Sequence, residues 1–292
     1  MIRSVLPARR RWFSFAAMVL LITAAMSLGA GAFKLDLNKL GDITSAIGQS
    51  AQGLQSVDEP QEIELGRQIA ARLLGAVPLV RDSASQEYVN RVGVWLAQHS
   101  ERPGLPWRFG ILDTTTVNAF AAPGGFVFIT RGLLARMTSE AELAGVLGHE
   151  IAHVVRRHHL EAIRAKAQRE LAVNLASALA DQKSQLMDAL IGSSMSLYAH
   201  GLDRDDEYEA DRMGVVIAAR AGYNPYGLPV TLMSLAAAQT GDSDMTLFTS
   251  THPTAISRLD RLDSLMTGAG LADSGPLLER RFASATHQLL KP

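Results

Sequence analysis

Two histidines one helical turn apart, with a glutamate between them, constrain the fold more than any other feature of this sequence. Residues four apart lie on the same face of an α-helix, so His149 and His153 can both reach one metal ion. Glu150 is rotated by about 100° from His149 and can stand beside that ion without binding it. Neutral imidazoles suit zinc, and an adjacent carboxylate can take a proton from water and pass it to a leaving amine. The motif therefore predicts a zinc site on a helix, with the histidines as ligands and Glu150 as the general base.

The residues around this motif are apolar, which predicts a central and buried helix. They are Leu143, Val146, Leu147, Ile151, Val154 and Val155. A capping box, Ser139-x-x-Glu142, predicts that the helix begins there and covers about 140–158. The alternative is a surface helix with charged residues. Burying a His-Glu-His group costs free energy unless something compensates it, and a metal ion would supply that compensation.

A second acidic segment, EYEAD at 207–211, supplies a candidate third ligand. Hydrolytic zinc sites usually have three protein ligands and one open position, so we expect Glu207 to bind the metal. Asp211 lies one turn later on the same face and can accept the ring N–H of a zinc-bound histidine, which fixes its tautomer. By itself the segment could be an ordinary acidic helix surface. The histidine pair makes the metal site the better interpretation.

Helical periodicity covers most of residues 59–292, whereas residues 106–130 alternate as strands do. Phe126–Thr130 is the strongest strand signal, and we expect a small antiparallel sheet of about three strands. No linker divides 59–292, so the sequence predicts one α+β domain that is mostly helical. The predicted helices run from Glu59 to before Pro78 and over 82–98, 140–158, 159–187 or beyond, 203–221, 226–239, 254–266 and 277–289.

The first 32 residues carry four arginines, no acidic residue and an apolar run, followed by Ala30-Gly31-Ala32. This pattern predicts a secretory signal peptide over 1–32, with Phe33 as the mature N-terminus. Residues 33–58 have no clear period and are interpreted as a loosely ordered lead-in. We therefore expect a periplasmic or secreted protein. The alternative is that the apolar run is retained and anchors the chain to the inner membrane.

Composition excludes several other kinds of site. The sequence has no cysteine, which rules out disulfides, thiolate metal ligands and a catalytic thiol. Its formal net charge is −1, so it has no overall basic character for binding nucleic acid. His158 lies nine positions after His149, roughly on the opposite face of a continuous helix. It is therefore not expected to bind the same ion, and a local packing or hydrogen-bonding contact is the simpler interpretation.

These motifs together resemble those of the zinc metallopeptidases that include the HtpX heat-shock protease, the CAAX prenyl-protein protease and the BepA-type periplasmic proteases. The resemblance covers about residues 59–265. It adds several segments to the HExxH and Glu-x-x-Ala-Asp motifs: Asn118–Gly125 with the strand after it, Arg131–Leu134, Gly148, Arg157-His158, His252-Pro253 and Arg258.

The resemblance implies a zincin-like domain of the gluzincin type with one Zn²⁺ per chain. For exported members it also implies a role in protein quality control of the cell envelope. The chain looks like a minimal secreted member of the family. Its expected substrates are unfolded or misassembled proteins, and envelope assembly machinery is a candidate partner.

Two further site predictions concern substrate and regulation. We expect the strand at 126–130 to offer its edge to an extended substrate, with Asn118, Gly125, Phe126, Val127 and Phe128 as substrate-binding residues. The resemblance implies that His252 reaches the metal site. There it could stabilise the oxyanion of the tetrahedral intermediate, or occupy the open position of the zinc and restrain the enzyme. A third possibility is that it only caps the next helix.

Two other functions remain compatible with these motifs. One is a catalytically silent zinc-containing chaperone or binding protein of the same fold. The intact Glu150 argues against it, since a structural zinc site needs no general base. The other is a zinc hydrolase that acts on a non-protein component of the envelope.

Overall fold

The computed structural model describes residues 57–173, 190–192, 194, 198, 200–238, 243–268 and 275–290. The predicted signal peptide and nearly all of the lead-in lie outside these residues. The named elements are α1 (Glu59–Ala76), α2 (Ser83–Ala97), β1 (Arg108–Leu112), β2 (Ala119–Ala122), β3 (Phe126–Thr130), α3 (Arg131–Leu134), α4 (Glu140–Arg156), α5 (His158–Val173), α6 (Arg204–Arg220), α7 (Gly227–Ala238), a 3₁₀ turn (Ser243–Met245), α8 (Thr246–Thr251), α9 (Ala255–Gly268) and α10 (Glu279–Thr286). The prediction of a mostly helical α+β fold is confirmed.

Helix α4 carries the histidine motif and lies at the centre of the main hydrophobic core. Every residue from Glu140 to Val154 is buried, so the prediction of a central helix is confirmed. Ser139 caps its first turn by accepting a hydrogen bond from the Glu142 amide at 3.2 Å. The Glu142 carboxylate binds the amide of Thr138 at 3.1 Å, one residue earlier than a standard capping box requires.

Helix α6 crosses α4 at very short distance because both helices have a glycine at the crossing. A Cβ atom added to Gly148 would lie 2.7 Å from the Gly214 carbonyl oxygen, and one added to Gly214 would lie 2.6 Å from the His149 amide nitrogen. No larger residue fits between the two backbones. The crossing places the acidic segment of α6 directly beside the histidines of α4.

The sheet has three strands as predicted, but it is mixed rather than antiparallel. Its order is β1-β3-β2, with β1 parallel to β3 and β2 antiparallel to β3. The β2–β3 turn is built by Gly124 and Gly125, at φ values of 74° and 101° that favour glycine. Alternation of side chains shows which residues share a face but not which strands are neighbours. That is why the sequence did not reveal the parallel pairing.

Helix α4 ends two residues earlier than predicted. Arg157 has a φ of 60°, in the left-handed region, and its amide binds back to the end of α4. The chain turns there and α5 begins at His158. Within the described residues, no helix has the length and apolar character needed to cross a membrane.

Candidate metal centre

The structure brings His149, His153 and Glu207 together in the buried space between α4 and α6. The Nε2 atoms of the two histidines are 3.1 Å apart. Glu207 Oε2 lies 3.7 Å from His149 Nε2, and Oε1 lies 3.5 Å from His153 Nε2. One ligand atom from each residue falls within 4.8 Å of the others. The third ligand predicted from the sequence is therefore adjacent to the first two.

The chemistry of this group fits a divalent cation. Glu207 Oε2 is buried and has no hydrogen-bond partner, although a buried carboxylate oxygen normally has one. Burial raises the pKa of Glu207 and lowers the pKa of both imidazoles, which disfavours charge on either side. Two neutral nitrogens and one carboxylate oxygen are the ligand set that zinc takes in hydrolytic sites.

Asp211 and Arg258 hold the outer face of His149. Asp211 Oδ1 is 2.9 Å from His149 Nδ1, so this carboxylate accepts the ring proton and leaves Nε2 free as a ligand. Arg258 donates to both oxygens of Asp211, at 2.9 and 2.5 Å. Burial acts to raise the pKa of Asp211, but the guanidinium outweighs it and holds that pKa well below its usual range. The sequence alone does not reveal a role for Arg258, because a single arginine on an amphipathic helix gives no sign of its partner.

Glu150 lies beside this group and faces a small cavity. The cavity has a volume of only about 30 Å³, and its lining includes Asn118, His153, Glu207 and His252. Burial raises the pKa of Glu150 to about 8, partly opposed by the nearby Arg258. A carboxylate in this position borders both the candidate ligands and the cavity beside them.

His252 also reaches the site. It follows the last residue of α8, and its Nε2 atom lies 3.8 Å from Glu207 Oε2. His149, Glu150 and His252 form a second group of ligand atoms within 4.8 Å of one another. The ring stacks on Phe248 with centroids 4.9 Å apart, which holds it in this orientation.

The prediction that β3 offers its edge to substrate is wrong. Phe126, Val127 and Phe128 lie in the middle strand, which pairs with β1 on one side and β2 on the other. Their main-chain groups are already used, and Gly125 serves the turn before them. The strands at the two edges of the sheet are β1 and β2. Asn118, immediately before β2, lines the cavity and has a buried side-chain oxygen without a partner.

His158 contacts the second histidine of the motif, which the helical-wheel argument missed. Its Nδ1 atom lies 3.0 Å from His153 Nδ1. The argument assumed a continuous helix, but α4 ends before the left-handed Arg157 and a separate helix, α5, begins at His158. The expectation of a local hydrogen-bonding contact agrees with the position of the side chain.

Comparison with known proteins identifies relatives of this chain. The model of Peptidase family M48 matches residues 83–266. The chain is 30% identical to the beta-barrel assembly-enhancing protease of Escherichia coli (strain K12) over 254 residues, which cover 83% of this chain and 50% of that protein. It thus spans about half the length of that relative.

Two further relatives are named as a metalloendopeptidase and a metalloprotease. The mitochondrial metalloendopeptidase OMA1 of Schizosaccharomyces pombe is 32% identical over 182 residues, which cover 62% of this chain and 53% of the relative. The metalloprotease YcaL of Escherichia coli (strain K12) is 32% identical over 172 residues, which cover 56% of this chain and 65% of the relative.

Proposed function

The chain belongs to peptidase family M48, and we propose that it is a zinc-dependent metalloendopeptidase whose single zinc ion would be held by His149, His153 and Glu207. The observation that carries this proposal is the buried, unpartnered oxygen of Glu207 beside two imidazole nitrogens. When bound, zinc supplies a Lewis acid that polarises the scissile carbonyl and makes water more acidic.

Glu150 performs the proton transfers in this proposal. Its carboxylate borders the cavity and the ligand group, so it can accept a proton from the attacking water. The same group then returns that proton to the departing amine. Asp211 supports the step indirectly, because it fixes the His149 tautomer that leaves Nε2 free to bind metal.

An extended substrate would bind along β2 instead of β3. β2 is the edge strand next to the cavity, and Asn118 stands at its start with an unpartnered side-chain oxygen. A segment added to a sheet edge is held mainly by main-chain hydrogen bonds. Recognition of this kind requires a substrate segment whose main-chain groups are not already hydrogen-bonded, so it favours unfolded or misassembled proteins over folded ones.

His252 would restrain the enzyme by occupying the fourth position on the metal. Thr251 Oγ1 donates its proton to the Leu247 carbonyl at 2.8 Å, and the same oxygen lies 2.9 Å from His252 Nδ1. His252 Nδ1 must therefore carry the ring proton, which leaves Nε2 with a lone pair towards the site. That tautomer suits a ligand better than an oxyanion donor, which would need a proton on Nε2.

The relatives and the N-terminal sequence support a proposal for the biological setting. One relative is named for enhancing β-barrel assembly, and residues 1–32 have the pattern of a signal peptide. These features support a protein exported to the cell envelope, where it would remove unfolded proteins in contact with the assembly machinery. Mass spectrometry of the exported protein should find Phe33 as its N-terminus. A retained segment 1–32 in the membrane fraction would favour the anchored form.

The function is tested with purified protein and its Glu150→Gln variant. We expect about one zinc per chain in both, cleavage of unfolded casein by the wild type, and loss of nearly all turnover in the variant. The variant keeps the ligands and removes only the proton acceptor. Equal turnover in the two proteins would refute the role of Glu150.

Two other results would favour the alternative functions. Zinc without any proteolysis, combined with suppression of casein aggregation, would indicate a chaperone. Hydrolysis of peptidoglycan fragments in place of casein would indicate a hydrolase of a non-protein substrate.

A further inference from the structure

The outer nitrogen of His153 faces another imidazole. His153 Nδ1 lies 3.0 Å from His158 Nδ1, and His158 is itself buried. Most metal-binding histidines instead donate this proton to a carboxylate, a carbonyl or water. His149 follows that usual rule, because its Nδ1 faces the carboxylate of Asp211. The two histidines of the motif are therefore supported by different chemical groups.

The turn at Arg157 brings His158 to this position. On a continuous helix His158 would lie far from the metal-binding face, but the left-handed residue at 157 separates α4 from α5 and breaks the helical period. A non-glycine residue in this region carries a conformational cost of roughly 1 kcal/mol. Arg157 is held there by an ion pair of 3.0 Å with the buried carboxylate of Glu62.

Metal binding through His153 Nε2 fixes every proton in this contact. Nε2 must offer its lone pair to the metal, so Nδ1 of His153 carries the ring proton and donates it. His158 Nδ1 must then be the acceptor, and the proton of His158 lies on Nε2. That atom is 3.2 Å from Glu209 Oε2, a carboxylate that can receive it. Arg156 holds Glu209 through its other oxygen at 2.9 Å.

We infer that His158 is a positioning residue for the metal site. It accepts the Nδ1 proton of His153, and its own ring is held in place by the carboxylate of Glu209. This inference rests on the proposed function, because it requires His153 to bind the metal. His158 is not one of the candidate metal ligands. Its effect is to hold one tautomer and one ring orientation of His153, as Asp211 does for His149.

The test measures zinc affinity in three variants of residue 158. His158→Phe keeps a flat ring and removes the acceptor, and His158→Leu removes the ring as well. His158→Asn places an amide oxygen close to the former Nδ1 position and so retains an acceptor. Affinity is measured by competition with a chromophoric chelator, and the cobalt-substituted proteins are compared by their d–d absorption. His99→Leu is the matched control. His99 is remote from the site, and its ring contacts the Trp95 carbonyl instead.

We expect His158→Phe and His158→Leu to bind zinc about 10–100-fold more weakly than the wild type, with altered cobalt spectra. His158→Asn should recover most of the affinity, and His99→Leu should resemble the wild type. Thermal unfolding in excess chelator measures the purely structural cost of each change. Equal zinc affinity in wild type and His158→Phe, or equal losses in His158→Phe and His158→Asn, would overturn the inference. Wild-type protein that binds no zinc would instead refute the proposed function and this inference with it.

Discussion

The ion pair of Asp211 and Arg258 is the most consequential contact at the scale of single residues. Both side chains are almost completely buried, and the pair touches His149 from its outer side. A buried charge that loses its partner costs far more than an exposed one. The pair therefore contributes to two measurable properties, the stability of the fold and the affinity for metal.

Asp211→Ala should weaken zinc binding by about 10–100-fold and lower stability by roughly 3–5 kcal/mol, because it leaves the Arg258 charge unpaired. Urea unfolding in excess chelator measures the second effect, and chelator competition measures the first. The double variant Asp211→Leu/Arg258→Met should regain stability but not zinc affinity. Asp113→Ala, which removes a half-exposed ion pair with Arg131, is the control and should change neither. Unchanged zinc affinity in Asp211→Ala would show that the carboxylate does not orient His149.

His252→Ala distinguishes the proposed restraint from an oxyanion donor. If His252 occupies a position on the metal, its loss should raise basal cleavage of casein and weaken zinc binding. If it donates to the oxyanion, activity should fall by about 100–1,000-fold with zinc still bound. Thr249→Ala, at an exposed position on the same short helix α8, controls for damage to that helix. Unchanged activity and affinity would leave His252 with no role beyond ending α8.

At the scale of elements, the Gly148–Gly214 contact sets the distance between α4 and α6. Gly214→Ala should cost about 1–3 kcal/mol from overpacking and should reduce zinc affinity, because it pushes Glu207 away from the histidines. Chemical unfolding and chelator competition measure the two effects. Gly75→Ala is the control, since a Cβ there meets nothing within 4 Å and alanine favours a helix. Full zinc affinity in Gly214→Ala would mean that the crossing tolerates a wider spacing.

The elements themselves were largely predictable from the sequence. Apolar periodicity gave α4 and α6 within two residues of their observed ends, because the core imposes that period directly. The end of α4 was not predictable. Arginine is not a typical left-handed residue, and its conformation at 157 depends on an ion pair with Glu62, 95 positions earlier. The contact between His153 and His158 was missed for the same reason.

Some features of the candidate site were predictable from the sequence, and others were not. Spacing alone predicted that His149 and His153 share one helix face and that Glu207 and Asp211 share another, because residues four apart on a helix point the same way. Arg258 and the edge position of β2 depend on how distant segments assemble, and spacing carries no such information. The sequence thus indicated which residues share one face of each helix, and only the assembled structure indicated their partners.

At the scale of the whole molecule, metal binding should be visible in thermal unfolding. Zinc that binds only the folded chain adds about 4 kcal/mol of stability at roughly 1,000 times its dissociation constant. For a domain of this size that raises the midpoint of unfolding by about 8–16 °C relative to excess chelator. Calorimetry with zinc and with chelator measures the difference. The unfolding midpoint of His149→Ala should be almost the same with zinc and with chelator. A wild-type midpoint that does not change on adding zinc would contradict a site in the folded core.

The backbone contact at Gly148 and Gly214 also bears on how such proteins diversify. The spacing of the candidate ligands is set by the contact between the backbones of α4 and α6. The cavity beside them is lined by side chains such as Phe120 and Thr251. Substitutions in that lining leave the helix crossing untouched. A lineage can therefore change substrate preference through Phe120 and Thr251 while Glu150 and the candidate ligands in the same lining are kept. In protein engineering, lining positions outside the proposed machinery, such as Phe120 and Thr251, are the places to randomise, and the two glycines are positions to leave alone.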